Sequence, residues 1–301
     1  MAESSRSLTY AALAVLILIW GTTWAVIRIG LRGLPPFTGV AMRFGIAAIV
    51  LFAVARAFGV RPDRDRRARV LGAVNAALAF SLSYGVVYWA EQWVPSGLAS
   101  VLFSTFPLMV AVLAHFVLPG ERIQTASAVG ILIGFVGVLL IFSEDLTALG
   151  GQETVKASLV FLLSPAAAAV ANVVVKRWGR GVRPLSLTAP PMVATAVVMG
   201  AMAVIFERGR PLSFDASSVG ALLYLAIAGT AVTFFLYFWL LDRLPATRLS
   251  LITYGIPVVA VSVGTLVLGE PFTRRMFAGA ALVLIGVALA VGFSRRKKSA
   301  I

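Results

Sequence analysis

Ten stretches of this chain are each long and apolar enough to cross a bilayer as a helix, which takes about 20 residues. They run roughly over 9–31, 37–58, 69–90, 96–118, 125–143, 156–176, 185–206, 217–240, 247–268 and 275–293. The runs are continuously apolar and lack the alternation of a transmembrane strand, so helices are expected and a barrel is not. Connections are short and carry turn signals such as Leu34-Pro35-Pro36 and Val94-Pro95-Ser96-Gly97. That leaves no room for an extramembrane domain, and the working parts must lie within the bilayer. The expected fold class is an all-α integral membrane protein with ten transmembrane helices.

Only 13 % of residues are charged and 60 % are hydrophobic, whereas about a quarter of a soluble domain is charged. A net charge of +14 would suggest nucleic acid in a soluble protein. Here the basic residues sit in short clusters between apolar runs, the pattern that sets membrane orientation, so no nucleic-acid partner is expected. Cysteine is absent and His115 is the one histidine, which excludes disulfides, thiolate sites and multi-histidine metal sites. No metal or cofactor is expected. An intramembrane enzyme would need a nucleophile with its base or a ligand cluster, and the runs supply neither, so the chain is read as a non-enzyme.

An even number of spans puts both termini on one side. Eighteen Lys and Arg fall on that side, including Arg56 to Arg69, Lys176 to Arg183 and the tail from Arg295 to Lys298, against seven on the other. By the positive-inside rule both termini are cytoplasmic. Met1 to Gly21 reads as a retained first helix, since its apolar run continues past Trp20 without a small-residue cleavage site. The excess of arginine over lysine and the abundance of alanine hint at a G+C-rich bacterial genome, hence a bacterial cytoplasmic membrane.

The chain also repeats itself. Trp89, Pro95, Ser100 and Pro107 recur 150 residues later as Trp239, Pro245, Ser250 and Pro257, and Gly120, Glu121, Gly130 and Gly137 recur 149 later as Gly269, Glu270, Gly279 and Gly286. More faintly, Arg28, Arg32, Pro36 and Thr38 correspond at 148 to Lys176, Arg180, Pro184 and Ser186. Two units, 1–148 and 149–301, follow, each with five helices. An odd number per unit inverts the second relative to the first. Inverted repeats are the signature of alternating-access carriers, with a substrate site near the midplane where the halves meet.

The segment Trp20-Gly21-Thr22-Thr23-Trp24-Ala25-Val26, the Pro35-Pro36 and Arg43-Phe44 that follow, the stretch from Pro95 through Pro107 to Pro119-Gly120-Glu121-Arg122, and Gly255-Ile256-Pro257 to Gly269-Glu270-Pro271 resemble the drug/metabolite transporter superfamily. The resemblance is to its ten-helix members built of two EamA-type repeats. It implies a secondary transporter exporting small metabolites, amino acids or drugs, with a cavity lined by helices 1, 3, 4, 6, 8 and 9. Amphipathic metabolites such as aromatic or apolar amino acids are the leading expectation. A multidrug exporter and a flippase for an anionic lipid-linked head group are the alternatives, since fold does not choose substrate. Small-molecule substrate and membrane lipid are the expected partners, in a monomer or homodimer.

Arg43 is an ionisable group about 10 Å along its helix from Pro36, and such a group in a membrane is a functional candidate by default. Two readings stand: a side chain reaching the interface or helix-end carbonyls, or one contacting a substrate carboxylate or gating partner. Convergence of Arg28 and Arg32 on Arg43 would point to an anionic head group, whereas a lone arginine among aromatics would point to a free amino acid. Trp20, Trp24, Tyr84, Tyr88, Trp89, Phe103, Phe235 and Tyr254 are the aromatic cavity candidates, while Trp93 reads as an interface anchor. Asn172 either donates to a substrate or joins two helices, and Asn75 has the same ambiguity. His115 reads as a packed residue.

Carboxylates are informative by position. Glu91, Glu121, Asp242 and Glu270 fall at helix ends or in loops. The resemblance implies that small four-helix relatives carry a buried glutamate in their first helix, and Leu16 to Ile27 has none, which argues against simple carboxylate-based antiport. Glu91 is the best remaining acid, and a solvated helix-end role is expected for it. Pro107 and Pro257 interrupt corresponding runs and are the hinge candidates. Gly130, Gly134, Gly137, Gly279 and Gly286 are expected to pack helices closely.

Overall fold

The computed structural model describes residues 2–119, 123, 125–142, 151–241 and 252–293. Every regular element among them is helical. The helices are α1 (Ala2–Gly30), α2 (Pro36–Ala57), α3 (Arg66–Ala90), α4 (Ser96–Val117), α5 (Thr125–Phe142), α6 (Gln152–Trp178), α7 (Pro184–Phe206), α8 (216–241), α9 (Ile252–Leu268) and α10 (Arg274–Phe293). Six of these, α1 to α4, α6 and α7, have the length and composition to cross a membrane, and Ser127–Phe142, Ala216–Val232 and Gly255–Leu268 are shorter apolar helices.

Local chemistry sets the helix ends. Asp65 and Asp215 cap α3 and α8, each carboxylate accepting from two backbone N–H groups of the first turn, Arg67 and Ala68 in one case and Ser217 and Ser218 in the other. The Asp215 carboxyl, held by those bonds and by serine hydroxyls, lies well below the usual carboxylate range. Helix α2 ends on Gly59 at φ +66°, with the N–H of Val60 returning to Ala55 O at 2.8 Å, the left-handed closure that glycine accepts without strain.

Two helices carry π-helical segments, Asn75–Leu82 in α3 and Tyr224–Val232 in α8. They begin at corresponding places in the two halves, Asn75 and Tyr224 standing 149 residues apart. A π segment displaces carbonyls from the regular ladder, and the Thr230 hydroxyl bonds one of them, Leu225 O, at 2.8 Å.

The two hinge candidates differ. The α4 helix breaks at Ser104-Thr105 and resumes at Phe106, next to Pro107. Hydroxyls there take up carbonyls, Ser104 bonding Ser100 O at 2.9 Å and Thr105 bonding Leu102 O at 2.7 Å. Pro257 lies inside an unbroken helix, so the expected paired interruption is found on one side only.

Helices of the first half pack on helices of the second: α2 on α7, α1 on α9, α4 on α6 and α5 on α10. The α5–α10 seam is made by the anticipated glycines. A Cβ on Gly137 would lie 2.6 Å from Gly279 O, and one on Gly286 would lie 2.5 Å from Gly130 O. The main apolar core, with Phe44, Phe80, Leu98, Phe161 and Met192, sits where the halves meet.

Candidate functional site

Among the described residues Arg43 is the largest fully buried side chain, 2 % exposed, and lies at the junction of the halves. Its Nε donates to Thr230 Oγ1 at 3.0 Å and its Nη2 to Gly229 O at 3.3 Å, both on the π segment of α8. Nη1 donates to the Tyr88 hydroxyl at 3.3 Å. The guanidinium also stands 5.0 Å from the Tyr84 ring centre, within cation–π range. It reaches neither the interface nor a helix end. A displaced carbonyl, two hydroxyls and an aromatic face satisfy a charge that would otherwise be prohibitively costly to bury.

The corresponding contact in the other half is neutral. Thr195 of α7 accepts from Ser81 at 3.3 Å and donates to Ala76 O at 3.3 Å, on the π segment of α3. Ser81 and Thr230 are 149 residues apart, so each π segment is held by the second helix of the opposite half.

Aromatic side chains surround Arg43. Phe44 meets Tyr84 edge-on at 4.8 Å, and Phe80 meets Phe44 at 5.4 Å and Phe234 at 6.0 Å. Trp24 lies 5.5 Å from Phe103 and 6.2 Å from Phe161, and Trp20 packs on Tyr237 at 5.9 Å and on Phe234 at 6.4 Å. Between Trp20 and Trp24, the Thr22 hydroxyl bonds that of Tyr224 at 2.6 Å.

Of the candidates, Arg43, Tyr84 and Tyr88 are in direct contact, and Trp20, Trp24 and Phe103 line the same junction. Trp89 pairs with Trp93 at 5.1 Å, and Asn172 is exposed on α6. The side chains of Phe235 and Tyr254 lie outside the described residues. Asn75 takes the helix-joining role, donating to Leu187 O at 2.9 Å, and His115 Nδ1 accepts from the N–H of Ile123 at 3.2 Å. Thr230, Gly229 and Thr195 were not singled out by sequence, because a threonine or glycine in an apolar run signals nothing until a π segment turns it toward a partner.

One end of the bundle is fastened by acids of the second half. Helices α2 and α4 start after Pro35 and Pro95 and have no local side-chain cap. Glu207 supplies the first, accepting from Phe37 N at 2.7 Å, Thr38 N at 2.8 Å and the Thr38 hydroxyl at 2.7 Å. Glu270 supplies the second, accepting from Ser96 N at 3.0 Å, the Ser96 hydroxyl at 2.7 Å and Gly97 N at 3.3 Å. Carboxylates suit helix N-termini, where free N–H groups and the dipole favour negative charge. Arg28 then ties Glu270, 3.3 Å from Nε, to the α3–α4 turn through Glu91 O at 3.1 Å and Val94 O at 2.9 Å. A polar cavity of about 280 Å³ opens here, lined by Arg28, Leu31, Arg32, Glu91, Gln92, Leu268 and Glu270.

Glu91 departs from expectation. It is 1 % exposed, so the solvated helix-end role does not hold. The α2 and α6 helices pack on the end of α3 and Arg28 of α1 bonds the Glu91 carbonyl, which a helix-end position in the sequence does not reveal.

The opposite end is joined through Asp63. Its carboxylate accepts from Arg183 N at 2.7 Å and the Ser186 hydroxyl at 3.1 Å, and pairs with Arg183 Nε at 3.4 Å. Arg67 Nε donates to Trp178 O beside it. Between α2 and α7 an apolar groove lined by Gly45, Phe52, Val193 and Val197 runs along the bundle surface.

The chain matches the model of the EamA-like transporter family twice, over residues 7–143 and 155–292. It is 31 % identical over 284 residues to an uncharacterized transporter of Archaeoglobus fulgidus, covering 94 % of this chain and 98 % of that one. It is 29 % identical to the uncharacterized transporter YoaV of Bacillus subtilis, covering 93 % and 96 %. A protein of Escherichia coli named as a probable amino-acid metabolite efflux pump is 27 % identical over 95 % of each chain. A solved crystal structure superposes with a TM-score of 0.68 at 23 % identity, covering 97 % of this chain and 99 % of that one, and shares the fold. Two family matches spanning nearly the whole length and six helices long and apolar enough to cross a bilayer make this chain a multi-pass membrane protein of the EamA-like transporter family.

Proposed function

We propose that this protein is a secondary carrier that exports small amphipathic metabolites, aromatic and apolar amino acids foremost, by alternating access. The carrying observation is Arg43, a single guanidinium among aromatic rings and tyrosine hydroxyls at the junction of the halves. It offers a carboxylate partner beside a flat apolar surface, the two features of an aromatic amino acid. Arg28 and Arg32 belong instead to the cavity at the Glu270 end, so the cluster of cations that an anionic head group would require does not gather around Arg43. The amino-acid efflux pump among the relatives supports the same substrate class.

In this reading the chain crosses the membrane ten times as two inverted five-helix units, with both termini cytoplasmic and membrane lipid around the bundle. The Glu270 end then faces outward and the Asp63 end inward. Each end is fastened by bonds between the halves, which must break in turn for the site to open to either side.

The test is efflux from proteoliposomes preloaded with labelled phenylalanine, leucine, glutamate or a quaternary ammonium dye. Saturable efflux of phenylalanine and leucine, with the dye retained, is the expected result. Efflux of the dye alone would replace this reading with multidrug export.

A further inference from the structure

Glu91 is the one acid among the described residues whose carboxylate oxygens are both buried without a hydrogen-bond partner. Its backbone is fully used, the N–H bonding Val87 O at 2.9 Å and the carbonyl accepting from Arg28. Two further buried hydroxyls without partners are Ser158 on α6, which packs against the end of α3, and Ser100 on α4, which packs against α6. A carboxylate without partners therefore stands in an apolar bundle at a point where an aliphatic side chain would be cheaper. Glu91 also lines the cavity beside the Arg28–Glu270 pair, which gives it a route to water.

The surrounding charges are committed elsewhere. On α1, Arg28 is bonded to Glu270 and two carbonyls, and Arg32 lines the exposed side of the cavity. On α2, Arg43 is bonded to Thr230, Gly229 and Tyr88. On α6 the charged residues of the first turn, Glu153 and Lys156, pair with each other at 2.9 Å on the surface. Beyond α9, Glu270 faces the same Arg28 and repels a second carboxylate. An ionised Glu91 in this setting is unsolvated and competes with Glu270 for one guanidinium.

We propose that Glu91 is a proton-binding site: the acid is neutral while the Arg28–Glu270 clamp is closed, and loss of its proton to the cavity water breaks that clamp. The residue follows the apolar span Arg66–Ala90. Burial pushes its carboxyl well above the usual range, with Arg28 drawing it back and Glu270 pushing it further up. A group titrating higher in the closed state than in an open, hydrated one stabilises the closed state at low pH, and that stabilisation is lost as pH rises through the raised value. The site thus links proton binding to closure of one end of the carrier. The inference rests on the carrier reading only in treating this end as a gate, and its test needs no substrate.

The chain contains no cysteine, so single thiols can be introduced cleanly. Leu98→Cys places one at a buried position on α4, next to the Glu270-capped turn, and Leu212→Cys places one at an exposed position. The rate of alkylation of Cys at 98 by a charged maleimide in nanodiscs, divided by that at 212 at the same pH, removes the thiol's own titration. The expected ratio rises about tenfold per pH unit between the titrations of the open and closed carboxyl. Glu91→Gln abolishes the rise and holds the ratio low, whereas Glu91→Asp keeps it. A flat profile in the native background, the same rise in Glu91→Gln, or a ratio that rises toward low pH overturns the proposal. Failure of every amino acid to be transported would sink the substrate reading and leave this result untouched.

Discussion

Arg43 of α2 donates to the Thr230 hydroxyl of α8 at 3.0 Å, across 187 residues of chain and from one half of the protein to the other. The bond joins a buried arginine to a π-helical segment, so the residue proposed to meet substrate is held by an irregularity in the helix facing it. A π segment leaves carbonyls and hydroxyls available that a regular helix would consume. On that proposal, substrate binding at Arg43 and the geometry of α8 are coupled.

Thr230→Val removes the acceptor and leaves Arg43 Nε buried without it. The expected cost is about 1 kcal/mol, within the range of measured bonds between membrane helices, read as a lowered midpoint of thermal unfolding. Arg43→Lys keeps the charge but not the fork of donors, and counterflow of labelled phenylalanine is expected to fall at least about tenfold, a loss of about 1.4 kcal/mol. Folded yield near the native level for Arg43→Lys, with transport unchanged, would assign Arg43 a purely structural role.

Glu207 and Glu270 act as caps delivered from the other half. Glu207→Ala frees two backbone N–H groups at the start of α2 and is expected to lower stability by about 1–2 kcal/mol, with Glu207→Gln recovering part of the loss. Unfolding in mixed micelles measures this. Equal stability of native, Gln and Ala forms would show that these caps carry no weight.

Gly279 and Gly137 bring the α5 and α10 backbones into contact. A Cβ at Gly279 would lie 2.5 Å from Ile141 and 2.7 Å from Gly137 O, so Gly279→Leu is expected to force the helices apart and cut the yield of monodisperse protein. Gly200 on α7 has nothing within 4 Å of an added Cβ. Gly200→Ala is expected to be neutral or to stabilise by up to about 1 kcal/mol through helix propensity.

The helices themselves were legible in the sequence because the bilayer demands long apolar runs, and the α5–α10 seam because small residues recur where backbones must approach. The membership in a two-repeat transporter family followed from the order of the Trp20-Gly21, Pro35-Pro36 and Gly269-Glu270 landmarks. The π segments were not legible: the residues of Asn75–Leu82 carry no signal that sets them apart from an α-helix, and the groups bonded to the two segments, Thr195 on α7 and Arg43 on α2, are distant in sequence. Pro35 and Pro95 did carry a usable signal, since a proline at the capping position has no side-chain oxygen and the first turn requires a cap from elsewhere. Glu91 was misjudged because sequence position gives the end of a helix but not what packs over it.

On the alternating-access proposal, the two halves part at the Glu270 end during each transport cycle. Gln92 of the first half and Leu268 of the second both line the cavity there. In proteoliposomes carrying Gln92→Cys with Leu268→Cys, counterflow of labelled phenylalanine is measured before and after treatment with a short bis-maleimide, with the cysteine-free native chain as control. The account predicts transport before cross-linking, none after it, and no effect of the reagent on the native chain. Undiminished counterflow in a fully cross-linked population would contradict it.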